Sequence, residues 1–173
     1  MTTDLLVISA SNGENLKLAN RFAETGSAQG LTSTVLDLTA VDLPLYTPRQ
    51  QANQGFPSNL SSLSQQLDAA PRWVLCVPEY NGSIPPVLTS AIAWLSVQGN
   101  DFRRLFNGRP IAMATYSGGG GHTVLTALRL QLAHLGAHVV GRQLVSNSGK
   151  PAQDSSIEDL ILRLQNIPYH PLG

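Results

Sequence analysis

A chain of 173 residues with 42% hydrophobic content is long enough for one domain with a substantial core, and its composition excludes a disordered polypeptide. Eleven basic residues cancel eleven acidic ones, which argues against nucleic acid or an anionic membrane as the main partner, since both select a basic surface. Only 13% of the residues are charged, well below the usual share of roughly 25%. So neutral a surface is easily buried, and a homodimer or homotetramer is expected; a monomer with a neutral, Ser- and Gln-rich surface is the competing account.

Cys76 is the single cysteine, so an intramolecular disulfide and a CxxC site are both excluded. It lies in the apolar run 73–77, where a buried, inert thiol is expected. The start, Met1-Thr2-Thr3-Asp4, carries no basic segment of the kind that opens a signal peptide, and the cytoplasm is the expected location. The sequons at Asn59 and Asn81 are then chance matches.

In chain order, the run Leu5-Leu6-Val7-Ile8 predicts a strand buried on both faces. A polar turn over 9–13 leads into a helix over 14–28, with Leu18 and Phe22 on one face. A second strand is expected over 32–38 and a long loop over 39–57, broken by Pro44, Pro48 and Pro57. Leu60, Leu63 and Leu67 mark a helix over 58–70, followed by a strand over 73–77. Pro85 or Pro86 opens a further helix that buries Leu88, Ala91, Ile92 and Leu95. A strand over 110–115, a helix over 123–135, a fifth strand over 137–144 and a last helix over 155–165 complete the chain.

Alternating strands and helices imply a parallel sheet, because parallel neighbours need a crossover connection. The expected fold is therefore α/β: a flavodoxin-like, doubly wound, five-stranded parallel sheet of order 2-1-3-4-5 with helices on both faces, in a single domain spanning 1–173. Such a sheet receives ligands at the carboxyl ends of strands one, three and four. The loops at those ends are also the most unusual in composition.

The first, Ser9-Ala10-Ser11-Asn12-Gly13-Glu14-Asn15, suits both a phosphate site at a helix start and an ordinary capping turn. It is neither a P-loop nor a dinucleotide fingerprint, because the glycine and lysine patterns of both are missing. The second, Pro78-Glu79-Tyr80-Asn81-Gly82-Ser83-Ile84-Pro85-Pro86, offers a flat aromatic face and a turn whose N–H groups suit a planar heterocycle, or else a capped turn into the helix. The third holds four consecutive glycines in Tyr116-Ser117-Gly118-Gly119-Gly120-Gly121-His122, which suits close approach of backbone to a ligand or a flexible loop. His134 and His138 lack the company of a metal site, and no Gly-x-Ser-x-Gly elbow of a serine hydrolase occurs.

At these residues the chain resembles the NADPH-dependent FMN reductase family of quinone, chromate and azo-dye reductases. The similarity is carried by Pro78-Glu79-Tyr80-Asn81 with Pro85, Leu88, Ala91, Ile92 and Trp94, and by Asn15 with Leu18-Ala19 and the glycine loop. The resemblance implies that Ser9, Ser11 and Asn15 hold the phosphate of FMN, and that Pro78, Glu79, Tyr80, Asn81 and Gly82 line the isoalloxazine. Ser117, Gly118, Gly119, Gly120 and Gly121 would approach the other edge of the ring. It further implies NAD(P)H as electron donor, a small-molecule acceptor such as a flavin or quinone, and a two-electron ping-pong cycle. The cofactor would carry the hydride chemistry, with no catalytic side chain and no metal. Three departures stand out: the first loop is about two residues shorter than the family's and lacks its Arg, while Ser90 and Ala93 replace an Asn and an Asp. The alternatives are a flavodoxin-type one-electron carrier, against which the zero net charge speaks, and a flavin-free binding or regulatory module of the same fold.

Overall fold

A computed structural model describes residues 3–169. Strand β1 (Leu5–Ser9) is buried along its whole length and pairs in parallel with β2 (Ser33–Asp37) on one side and β3 (Arg72–Cys76) on the other. β4 (Pro110–Tyr116) pairs in parallel with β3, Trp73 lying opposite Ile111. Two short strands, β5 (His138–Val139) and β6 (Leu144–Ser146), then share the outer side of β4, so the order is β2-β1-β3-β4-β5 with β6 also on β4. This is the expected 2-1-3-4-5 sheet, with one correction. The predicted fifth strand over 137–144 is two pieces, and the second ends beyond it.

The break falls at Val140-Gly141-Arg142-Gln143, where the carbonyls leave the ladder. Arg129 satisfies two of them from the neighbouring helix, donating to the Val140 carbonyl at 3.0 Å and the Gly141 carbonyl at 3.4 Å, and reaches the Gln143 side chain at 3.1 Å. A buried carbonyl without a partner costs about 1–3 kcal/mol, so one guanidinium makes the interruption tolerable.

Five of the six α-helices among the described residues cover the sheet. α1 (Glu14–Ala28) and α6 (Asp154–Gln165) lie on one face, where Leu18, Phe22, Ile157 and Ile161 pack on Val7, Val74 and the small side chains of Cys76, Ala112 and Ala114. α3 (Leu60–Ala69), α4 (Pro86–Ser96) and α5 (His122–His134) lie on the other, over Leu6, Ile8, Leu75 and Met113. The two cores come from alternate residues of the same strands, as the period of two demands. Gly26 lets α1 come close to the sheet: a Cβ there would lie 2.6 Å from the Ser33 hydroxyl and 2.9 Å from Leu5.

The predicted loop over 39–57 also needs correction, since it contains a single 3-10 turn and α2 (Pro48–Gln54). Thr47 caps α2 by accepting from Gln50 N–H at 2.9 Å, Pro48 occupies its first position, and Gly55 ends it at φ +71°. No residue of α2 is buried, so no apolar period announces it. The segment before it is clasped to α4: Ser90 accepts from Tyr46 N–H at 2.9 Å, and the Trp94 indole donates to the Pro44 carbonyl at 2.8 Å. Trp94 is fully buried in its own chain.

Candidate active site

Three loops meet where β1, β3 and β4 end. In the first, Ser9 is fully buried and its hydroxyl donates to the Ser11 carbonyl at 2.6 Å, closing a tight turn. Ala10 N–H donates to the Cys76 carbonyl at 3.0 Å, which ties this turn to β3. Burial pushes the Cys76 thiol well above its usual pKa, so at neutral pH it is an uncharged packing residue.

Gly13 precedes α1 and no side chain caps that helix. The backbone N–H groups of Asn12, Gly13, Glu14 and Asn15 have no acceptor among the described residues. A helix start in this state carries unsatisfied donors and partial positive charge. The Asn15 side chain turns inward instead. It donates to the Tyr116 carbonyl at 3.0 Å and accepts from Tyr116 N–H at 2.8 Å, a two-point brace between α1 and the end of β4.

In the second loop, Tyr80 and Ser83 exchange backbone hydrogen bonds of 3.1 and 3.0 Å. Asn81 at φ +52° and Gly82 at φ +72° form the two-residue corner between them. Positive φ at both central positions defines a type I′ turn, for which Asn-Gly is the favoured pair. The turn lifts the Tyr80 ring, which is 49% exposed, while Pro78 beneath it is buried. Pro85 and Pro86 then open α4 and supply no N–H at its start.

The third loop is held by the second. The Glu79 carboxylate accepts from the Ser117 hydroxyl at 2.7 Å and Gly121 N–H at 3.0 Å on one oxygen, and from Val124 N–H at 3.4 Å on the other. It therefore caps α5 from a different loop, 42 residues away from Gly121. The Ser117 hydroxyl above all, then the two backbone N–H groups and the nearby His122, hold its carboxyl below the usual carboxylate range against the opposing effect of burial.

A Cβ on Gly119 would lie 2.8 Å from that carboxylate, and one on Gly121 would lie 2.5 Å from the Thr115 methyl, so side chains are excluded there. A Cβ on Gly118 or Gly120 would meet nothing within 4 Å, so space is open beside the backbone there. Beneath the loops, Thr115 donates to the Val77 carbonyl at 2.6 Å and Ser117 N–H to the Ser146 carbonyl at 3.0 Å. A groove of about 250 Å³ opens beside the first turn of α1, against Glu14, Lys17, Tyr116 and Ser146. Another of about 240 Å³ lies past the glycine loop, lined by His122, Arg142 and Lys150 among others.

The fold thus gathers all thirteen expected site residues at one end of the sheet, but with different orientations. Ser9, Asn15, Glu79 and Ser117 spend their side chains inside the chain, whereas Ser11, Tyr80, Asn81, Gly118 and Gly120 are at least partly open. Thr115 and Tyr116, which brace the loops, were not among the expected residues. The available signal was Asn15 itself: it shares the apolar face of α1 with Leu18, Ala19 and Phe22, where a polar side chain needs a partner.

Known proteins resemble this chain in sequence and in fold. A quinone reductase of Escherichia coli K12 is 36% identical over 103 residues, which cover 58% of this chain and 53% of that protein. An NAD(P)H-dependent FMN reductase of Pseudomonas aeruginosa is 30% identical over 129 residues, covering 73% of this chain and 66% of that one. The matched segments thus span about half to two thirds of the length of these relatives. Among solved structures, the flavoenzyme NAD(P)H:acceptor oxidoreductase FerB of Paracoccus denitrificans shares the fold with a TM-score of 0.75 at 18% identity, over 95% of this chain and 98% of that one. An archaeal flavodoxin superimposes with a TM-score of 0.62 at 12% identity, over 94% of this chain and 99% of that one. The family model described as NADPH-dependent FMN reductase matches residues 3–151, and the chain belongs to that family of flavin-linked oxidoreductases.

Proposed function

We propose that the chain is an FMN-dependent NAD(P)H oxidoreductase that passes two electrons to a flavin, quinone or similar small acceptor by a ping-pong cycle. One observation carries this reading. Of the three helices that follow β1, β3 and β4, α1 alone combines several free N–H groups with the absence of a side-chain cap. α4 begins on two prolines, and the start of α5 is filled by Glu79. Among the three loops of the site, the start of α1 is therefore the one that suits a phosphate dianion.

The residues suit FMN. The backbone N–H groups of Asn12, Gly13, Glu14 and Asn15 with the Ser11 hydroxyl form the donor set for its phosphate, and Ser9 and the Asn15 amide hold that loop in shape. Pro78, Tyr80, Asn81 and Gly82 on one side, and the backbone of Gly118–Gly121 on the other, flank the ring. Bound FMN supplies the hydride chemistry, accepting two electrons from NAD(P)H and returning them to the acceptor. The chain orients the ring and offers preorganised backbone donors where negative charge builds on reduction. One open face, bordered by the exposed Tyr80, serves donor and acceptor in turn, which is why the cycle is ping-pong. Exposed Leu130 on α5 and Leu162 on α6, on a surface so poor in charge, support a homodimer or homotetramer. No helix among the described residues is long and apolar enough to cross a membrane.

The test is an absorption titration with FMN followed by anaerobic NADPH and NADH. Flavin bands that shift on binding and bleach rapidly with either donor support the reductase. Binding without rapid bleaching favours the one-electron carrier, and no binding favours the flavin-free module. Gly82→Asp puts a side chain and a charge on the turn and should weaken FMN binding; unchanged affinity would remove the turn from the site.

A further inference from the structure

Among the described residues Glu79 is the one carboxylate that joins two of the three loops. It lies on the second, and every hydrogen bond of its side chain goes to the third loop or the helix that follows. Four consecutive glycines have more conformational freedom than any other segment of this chain, and a loop of that kind keeps one shape only if something outside it dictates the shape. Gly119 is held through Ser117, whose hydroxyl accepts from Gly119 N–H at 3.1 Å while donating to Glu79. Gly121 is held by the carboxylate directly. The same negative charge faces the start of α5 and offsets its partial positive charge.

We propose that Glu79 is a positioning residue for flavin binding: it locks the glycine loop to the Tyr80–Ser83 turn, so that the ring has a preformed slot, and it occupies the start of α5, so that of the two helix starts beside the ring the phosphate is received at α1. This rests on the FMN reading given above. Glu79 acts through the loop and leaves the contacts with the ring to Tyr80, Asn81 and the glycine backbone. Its charge is needed as well as its size, because three donors converge on it. A glutamine there keeps one acceptor oxygen and turns its NH2 toward at least one of them.

The full chain is titrated with FMN and with riboflavin, which lacks the phosphate, as wild type and as Glu79→Gln, Ser117→Ala and Ser11→Ala. Glu79→Gln is expected to bind both flavins about tenfold more weakly with their ratio unchanged, as the loss of charge-assisted hydrogen bonds implies. Ser117→Ala keeps the carboxylate and should give a smaller loss of the same kind, while Ser11→Ala should weaken FMN and spare riboflavin. Amide hydrogen exchange without flavin should be faster at Gly119 and Gly121 in Glu79→Gln. A folded Glu79→Gln with wild-type affinity for both flavins would reduce Glu79 to a helix cap and overturn the proposal. A loss confined to FMN, with riboflavin affinity unchanged, would do so too, because it would place Glu79 in the phosphate site and not behind the ring. If Glu79→Gln does not fold, Ser117→Ala carries the same test. A wild-type chain that binds neither flavin would overturn the FMN reading itself, and the proposal with it.

Discussion

At the amino ends of β3 and β4 the guanidinium of Arg109 is completely buried, whereas at the carboxyl ends of these strands a Cβ added to Gly118 or Gly120 would meet open space. The closed end is built from side chains. Arg109 donates to the carbonyls of Leu105 and Ala70, and its guanidinium lies 4.5 Å from the ring centre of Trp73 and 4.6 Å from that of Tyr169, with Asp68 at 3.6 Å. Burial works against the charge of Arg109, and the carbonyls, rings and Asp68 offset it. The open end is built from main chain. Its shape is set by two polar side chains, Asn15 and Glu79, reaching in from elsewhere. One end of the sheet is committed to stability, and the other keeps main-chain donors free for a ligand.

Substitutions at the two ends should therefore separate stability from binding. Arg109→Ala should have the largest effect on stability, about 3 kcal/mol in urea unfolding, because it strips the Leu105 carbonyl of its side-chain donor, leaves the Ala70 carbonyl to the Trp73 indole and opens a void beside Trp73. Flavin affinity of the folded fraction should stay at the wild-type value, and a parallel fall would erase the contrast. Gly121→Ala should cost about 2 kcal/mol, through positive φ and the contact with Thr115, and should also weaken flavin binding. Asn15→Ala should cost somewhat less, about 1–2 kcal/mol, for two lost bonds to the Tyr116 backbone. Its effect on FMN affinity should exceed that of any substitution at the closed end.

The smallest effect is in acid. Because the carboxyl of Glu79 titrates lower in the folded chain than in the unfolded one, its contribution is complete above the ordinary glutamate pKa of about 4.3. That contribution disappears as pH falls through the lower, folded-state value. Wild type and Glu79→Gln compared by thermal melting should differ by a constant amount from pH 6 to 8 and converge below pH 4. A gap that persists at low pH would mean that the Glu79 charge contributes nothing to the clamp.

Most of the fold is legible because burial imposes a pattern. α1 and α6 repeat their apolar residues at the spacing of 3.6 that the core selects, and β1 and β3, buried on both faces, carry unbroken apolar runs. α2 escapes detection because it buries nothing, although Thr47-Pro48 and Gly55 mark both its ends. The fifth strand misleads because Val139-Val140 and Leu144-Val145 are both apolar, so Gly141-Arg142 reads as an interruption within one strand where the structure has an end and a new start. At the candidate site, the three loops stand out by their glycine and proline content together with the topology. The directions of Asn15 and Glu79 do not, because their partners are 101 and 42 residues away and leave no local pattern.

The link from Asn15 to Tyr116 has a consequence for how the chain acquires its ligand. A contact across 101 residues can form only after β4 has taken its place beside β3. Closing so long a span is slow compared with forming a helix. During synthesis the first hundred residues emerge with the Ser11–Asn15 turn present but its brace still to come. Cofactor capture is therefore a late event that follows assembly of the sheet, and added flavin should hold back unfolding far more than it hastens folding.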